Sequence, residues 1–157
     1  MDLLGFNEIK SRLERYCAYQ ERSPFEVKKK LMSFTSDSNQ LDDIMASLIE
    51  EGFVKLERFV ESYVQGKINQ KRWGKLKIKN GLIQNRIPAE VIEEALSNID
   101  LEKYRKNIEI LVLKKISSIN KKASLFEKKT KVLRFLSSKG YVSDDWQGLD
   151  MDRLFSS

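Results

Sequence analysis

Apolar residues recur along this chain at the three- and four-residue spacing of helices that bury one face. Phe6, Ile9, Leu13, Tyr16 and Cys17 form one such stripe; Ile44, Leu48 and Ile49 form another, and Val132, Leu133 and Leu136 a third. Helix starts punctuate the pattern. Ser23-Pro24-Phe25-Glu26 offers an N-cap hydroxyl, a proline at the first helical position and a glutamate placed to close a capping box. Ser124 and Glu127 repeat the Ser-x-x-Glu spacing, and Asp100 stands before Leu101-Glu102 as an N-cap. Pro88 opens a run through Val91, Ile92, Ala95 and Leu96. Gly52, Gly81 and Gly140, each followed by an apolar residue, are expected at helix ends.

These marks predict nine helices, near 5–21, 24–35, 40–51, 55–66, 70–80, 88–98, 101–120, 125–138 and 143–154. They fall into three groups of three with a period of roughly 50 residues, the scale of helical repeat arrays. The expected fold is all-α, with three-helix repeats at 1–52, 53–99 and 100–157. A unit this small buries its apolar face poorly alone, so the repeats should stack into an elongated body. With two prolines and seven glycines in 157 residues, there is little room for long loops.

One segment breaks the rhythm. Lys75-Leu76-Lys77-Ile78-Lys79 alternates as a strand does. Wound as a helix, it gathers Lys71, Arg72, Lys75 and Lys79 on one side and Trp73 and Leu76 on an adjoining side, while Ile78 fits poorly. The helical flanks favour the helix. A strand here would raise a winged-helix DNA-binding domain as the alternative.

The same segment dominates the charge pattern. From Gly66 onward it carries Lys67, Lys71, Arg72, Lys75, Lys77 and Lys79 and no acid, in a chain with 29 Lys and Arg against 23 Asp and Glu. Such density of one sign repels itself and calls for an anionic partner, either an acidic protein surface or nucleic acid. With Arg58, these residues are the candidate partner-binding set, and Trp73 is the expected core anchor. A second basic group surrounds the junction of the seventh and eighth helices. It comprises Lys114, Lys115, Lys121, Lys122, Lys128, Lys129 and Lys131, with Glu109 and Glu127 nearby. The bland alternative for both groups is a solvated helix face.

Composition narrows the chemistry. The chain has no histidine and a single cysteine, Cys17, which sits in an apolar stripe. That removes the commonest general base, leaves no ordinary zinc set and permits no internal disulfide, so a reducing, cytoplasmic setting is expected. Gly74-Lys75 is followed by leucine, and its upstream glycine is mis-spaced for a phosphate-binding loop. The pairs Asp42-Asp43 and Asp144-Asp145 fall in expected first turns, where carboxylates favour the helix dipole. The expectation is a non-enzyme with no metal and no cofactor. The acidic start of the chain shows no signal peptide, and no run approaches the ~20 apolar residues of a membrane helix.

Four segments resemble the RecX family, bacterial regulators of the RecA recombinase. Arg22-Ser23-Pro24-Phe25-Glu26-Val27-Lys28-Lys29-Lys30-Leu31 is similar to the family's Arg-Ser-x-x-Glu-Leu-x-x-Lys-Leu. Leu48 to Val54, followed by Glu57-Arg58-Phe59-Val60 and Tyr63, is similar to its Gly-Tyr-Leu segment. Trp73-Gly74 with Lys77-Ile78 and Gly81, and Leu133 to Tyr141 with its Gly-Tyr close, complete the match. The chain departs at Lys55-Leu56-Glu57, where the acid is displaced, at Val60 in place of a common alanine, and at Gly148, which weakens the last helix. The sequence shows no long heptad seam, and a monomer is expected. The resemblance implies a curved array of three-helix repeats and a non-enzymatic protein. It implies binding to RecA and to the RecA-DNA filament, lodging in the filament groove, with inhibition of filament growth, ATP hydrolysis and strand exchange in recombination and repair. Direct contact with single- or double-stranded DNA is compatible with it. The rival reading is an independent helix-turn-helix or winged-helix DNA-binding module.

Overall fold

The Ser23 capping box forms as its spacing requires. The Ser23 hydroxyl accepts from the Glu26 amide and the Glu26 carboxylate accepts from the Ser23 amide, both at 3.0 Å. A computed structural model describes residues 5–156. Residues 1–4 and 157 lie outside the described residues, and with them part of the acidic chain start and the outer limits of the first and third expected repeats. The regular elements are α1 (Phe6–Tyr19), α2 (Pro24–Met32), α3 (Ser38–Glu50), α4 (Leu56–Gly66), α5 (Lys75–Gln84), α6 (Ala89–Ser97), α7 (Leu101–Ser118), α8 (Leu125–Ser138), α9 (Ser143–Trp146) and α10 (Met151–Phe155). A π-helical segment, Lys67–Lys71, continues α4. Among the described residues there is no strand, so the alternation at 75–79 is helical and the winged-helix reading loses its basis.

Other helix starts follow the same chemistry. Asp37 accepts from the amides of Asn39 and Gln40, Asp100 from Lys103, and Ser124 from Glu127. Gly52 and Gly140 end α3 and α8 at φ 82° and 96°, a conformation glycine adopts without strain. The Phe53 and Tyr141 amides then return to the carbonyls of Leu48 and Leu136 at 2.9 and 3.0 Å.

Several boundaries differ from the sequence expectation. Gly81 does not end a helix; it lies inside α5, where a Cβ would overlap the Tyr63 hydroxyl. The last expected helix is two short ones, because Gly148 interrupts it and Asp150 caps α10 through the Arg153 amide. Asp144 and Asp145 lie in the first turn of α9 as expected. Asp42 and Asp43 lie a turn further into α3 and are exposed.

Two apolar clusters hold the chain. Ile9, Leu13, Val27, Leu31, Ile44, Leu48 and Val54 form the first, from α1–α3 and the turn after them. Phe59, Val64, Ile78, Leu82, Ile92, Ile108, Val112, Val132, Leu136, Tyr141 and Leu154 belong to the second, which spans α4–α10. The stripes are narrower than the sequence implied, since Ile49 and Leu133 remain 54% and 38% exposed. The two bodies meet through polar contacts. Fully buried Ser23 donates from its hydroxyl to Asn85 Oδ1 at 2.9 Å, and the Arg86 guanidinium lies 5.4 Å from the Phe25 ring centre.

Candidate functional site

The basic stretch is not one helix but a corner. The expected helix over 70–80 would place its cations on a single face. Instead α4 widens into the π segment, Arg72 takes a left-handed φ of 52°, and extended Gly74 starts α5 afresh. Lys67 and Lys71 therefore lie before the corner, Arg72 at it, and Lys75, Lys77 and Lys79 beyond it.

Residues from α7 and the α8–α9 turn fix this corner through the backbone. Buried Asn107 donates its side-chain amide to the Ile68 carbonyl at 2.9 Å. The Tyr141 hydroxyl donates to the Arg72 carbonyl, and the Lys75 amide donates to the Tyr104 hydroxyl, each at 2.9 Å. The Gly74 amide reaches the Lys139 carbonyl at 2.7 Å, and the Leu76 amide reaches Gly140 at 3.1 Å. Amides at a helix start are normally unpaired within the helix. Here three in succession at α5 are satisfied by the third expected repeat. Sequence reasoning missed Tyr104, Asn107 and Tyr141 as organisers. The available signal was Asn107, a polar residue beside Ile108 in an otherwise apolar stripe.

Charge at the corner is held on rings and left unpaired by acids. Lys67 Nζ and Lys77 Nζ lie 4.6 and 4.7 Å from the Trp73 ring centre, and Lys75 Nζ lies 5.5 Å from that of Tyr104. Trp73 packs partly buried against the second core, as expected of an anchor. Lys71 and Lys79 are exposed, and among the described residues none of the six cations makes an ion pair. Arg72 buries its Nε with no hydrogen-bond partner. The apolar side of α5 also differs from the sequence reading: Ile78 and Leu82 are fully buried, while Leu76 is 48% exposed.

Arg58 sits apart from this group. Its Nε is 2.7 Å from Glu21 Oε1, an ion pair without an aligned hydrogen bond, and its Nη2 donates to the Gly52 carbonyl at 2.8 Å. Arg58 thus ties α4 to the end of α1 and to the α3–α4 turn. The second basic group does not form one surface of free charge. Lys129 lies 3.4 Å from Asp152, and Lys115 stacks 5.3 Å from the Phe135 ring. Lys114, Lys121, Lys122 and Lys131 are exposed, and Lys128 is partly buried.

Burial pushes the Tyr104 and Tyr141 phenols far above the usual tyrosine range, and the Asp145 carboxylate adds to the rise. An acid whose folded pKa is raised stabilises the fold below its unfolded value and loses that contribution as pH climbs past it. The chain should therefore lose stability above about pH 10, where unfolded tyrosine ionises. Chemical denaturation at pH 8 to 11 checks this, and Tyr104→Phe with Tyr141→Phe should flatten the alkaline fall. Burial also raises the Cys17 thiol, which packs against the first core. Among the described residues no group of His, Cys, Asp and Glu is placed to hold a metal ion. Among them no helix is long and apolar enough to cross a membrane.

The family model for the second three-helix domain of RecX matches residues 57–96, which contain the whole corner. The regulatory protein RecX of Clostridium tetani (strain Massachusetts / E88) is 33% identical over 159 aligned residues, covering 99% of this chain and 67% of that protein. The chain belongs to the RecX family. The regulatory protein RecX of Lactococcus lactis subsp. cremoris (strain SK11) is 26% identical across 87% of this chain and 51% of its own length. The chain thus spans between half and two thirds of these RecX relatives. A crystal structure of RecX from Lactobacillus salivarius shares the fold at TM-score 0.79 and 23% identity, covering 96% of this chain and 94% of that one. A second RecX crystal structure matches at TM-score 0.80 over 93% of this chain and 71% of its own. The all-helical architecture of three-helix repeats is therefore the RecX fold, and the corner lies in its second domain.

Proposed function

We propose that this chain is a non-enzymatic regulator that binds the RecA recombinase and its filament on DNA. Binding restrains filament growth, ATP hydrolysis and strand exchange. The observation that carries the reading is the corner at 67–79: six cations without an ion pair among the described residues, on backbone hydrogen-bonded to α7 and the α8–α9 turn. Unopposed charge on a fixed frame raises the rate of encounter with an anionic surface and fixes orientation. In this reading repeats 1–52, 53–99 and 100–157 act together as a cytoplasmic monomer, with the middle repeat facing the filament. Arg58 supports that repeat rather than touching the partner, and the second basic group extends the charged surface through Lys121, Lys122 and Lys131.

Replacing Lys71, Arg72, Lys75 and Lys79 with glutamine tests the reading. Inhibition of the recombinase's DNA-dependent ATPase should weaken at least about tenfold, with helicity by circular dichroism unchanged. Unchanged inhibition removes the corner from the mechanism. Salt then separates the two anionic surfaces. Five neutralised phosphates give a slope near −4 in log K against log salt, whereas acidic side chains give a shallower one. Tight, sequence-specific binding to bare duplex without recombinase would instead favour an independent DNA-binding module.

A further inference from the structure

Beside the charged corner lies an apolar groove that neither core absorbs. Leu76 of α5, Leu133 of α8 and Val142 at the start of α9 stay 48%, 38% and 44% exposed. With Tyr141 and Trp146 they line a groove of about 620 Å³, joined by Arg134, Ser137 and Ser143. Three exposed aliphatic side chains from three elements converge here. The joint beneath them is fixed by the Gly74–Lys139 and Leu76–Gly140 backbone bonds. The groove is thus preformed rather than gathered by a ligand. On the α5 and α8 side its rim is cationic: Arg134 is exposed on α8, Lys79 stands one turn beyond Leu76 on α5, and neither makes an ion pair among the described residues. On α9 the charge is of the other sign: Asp144 is exposed next to Ser143 in the chain and Asp145 Oδ2 accepts from the Val142 amide at 2.7 Å, so an anionic ligand must turn its charge toward α5 and α8.

We propose that this groove docks an acidic, amphipathic segment of a partner protein. Its apolar side chains enter between Leu76, Leu133 and Val142, and its carboxylates face Lys79 and Arg134. Apolar anchors at helical spacing suit a groove of this kind, and the rim selects their charge. Nucleic acid fits less well, because base stacking needs open rings; the exposed apolar walls are aliphatic, Tyr141 is buried and Trp146 is only partly exposed. The inference deepens the reading of a protein partner, but its test needs no recombinase, so the two can fail separately.

Trp146 lines the groove and is one of two tryptophans, so Trp73→Phe leaves it as the sole reporter. The probe is a synthetic amphipathic helix with leucines on one face and glutamates on the other. It should change Trp146 emission saturably, while a lysine counterpart and a glutamate peptide without leucines should not. Leu133→Ser with Val142→Ser should weaken the effect at least about tenfold at unchanged helicity. Arg134→Glu, which removes no packing from the core, should weaken it too. The proposal is overturned if the acidic helix gives no saturable change, if the lysine helix matches it, or if folded variants bind as the parent does. An oligothymidylate that reproduces the change and is blocked by the same substitutions would also overturn it.

Discussion

Gly74→Ala is expected to lower the thermal midpoint of the α4–α10 body by about 10 °C. The new Cβ would overlap the Gly140 carbonyl and approach the Tyr141 amide nitrogen to 2.5 Å. Both obstacles are backbone, so no side chain can swing aside. Relief requires parting α5 from the α8–α9 turn, which breaks the Gly74–Lys139 and Leu76–Gly140 hydrogen bonds together. A cost of about 3 kcal/mol is reasonable for such strain within a buried joint. Gly66→Ala is the internal control. That position has open space around it and a helical φ of −64°, so alanine there should be neutral or stabilise by up to about 1 kcal/mol. Melting followed by circular dichroism decides the matter. If Gly74→Ala melts with the parent, the close approach of the two glycines is wrong.

The second large effect reverses what a continuous helical wheel over 70–80 implies. Ile78→Ala should cost about 3 kcal/mol, because a fully buried aliphatic side chain leaves both lost transfer energy and a cavity. Leu76→Ala, at 48% exposure, should cost under about 1 kcal/mol. Urea unfolding of the two variants gives the comparison directly. Equal losses, or a greater loss at Leu76, would mean that α5 is rotated from the position described.

Much of the fold was legible because helix ends are written in local chemistry. Ser23, Asp100 and Ser124 each satisfy amides within three residues, and Gly52 and Gly140 supply left-handed turns, so neither needs tertiary information. The corner was illegible for the opposite reason. Nothing between Lys67 and Lys79 announces a π segment or a restart at Gly74. Those features depend on Tyr104, Asn107 and Tyr141, which are between 29 and 69 residues distant in sequence from their partners. Gly81 misled because a glycine required by the Tyr63 ring looks the same in sequence as one required by a turn. The charge of the site was plain from composition. Which cations are committed elsewhere was not: Arg58 meets Glu21 and Lys129 meets Asp152 only through the folded packing.

The separation of the two apolar clusters bears on how the molecule comes apart. Among the described residues no buried residue is common to both, and substitutions without shared neighbours act independently. Heat therefore has two bodies to melt. Gly74→Ala and Ile78→Ala act on the α4–α10 body and leave the melting of α1–α3 where it was. A calorimetric trace of either variant should widen or split, its earlier portion moving while the remainder stays in place.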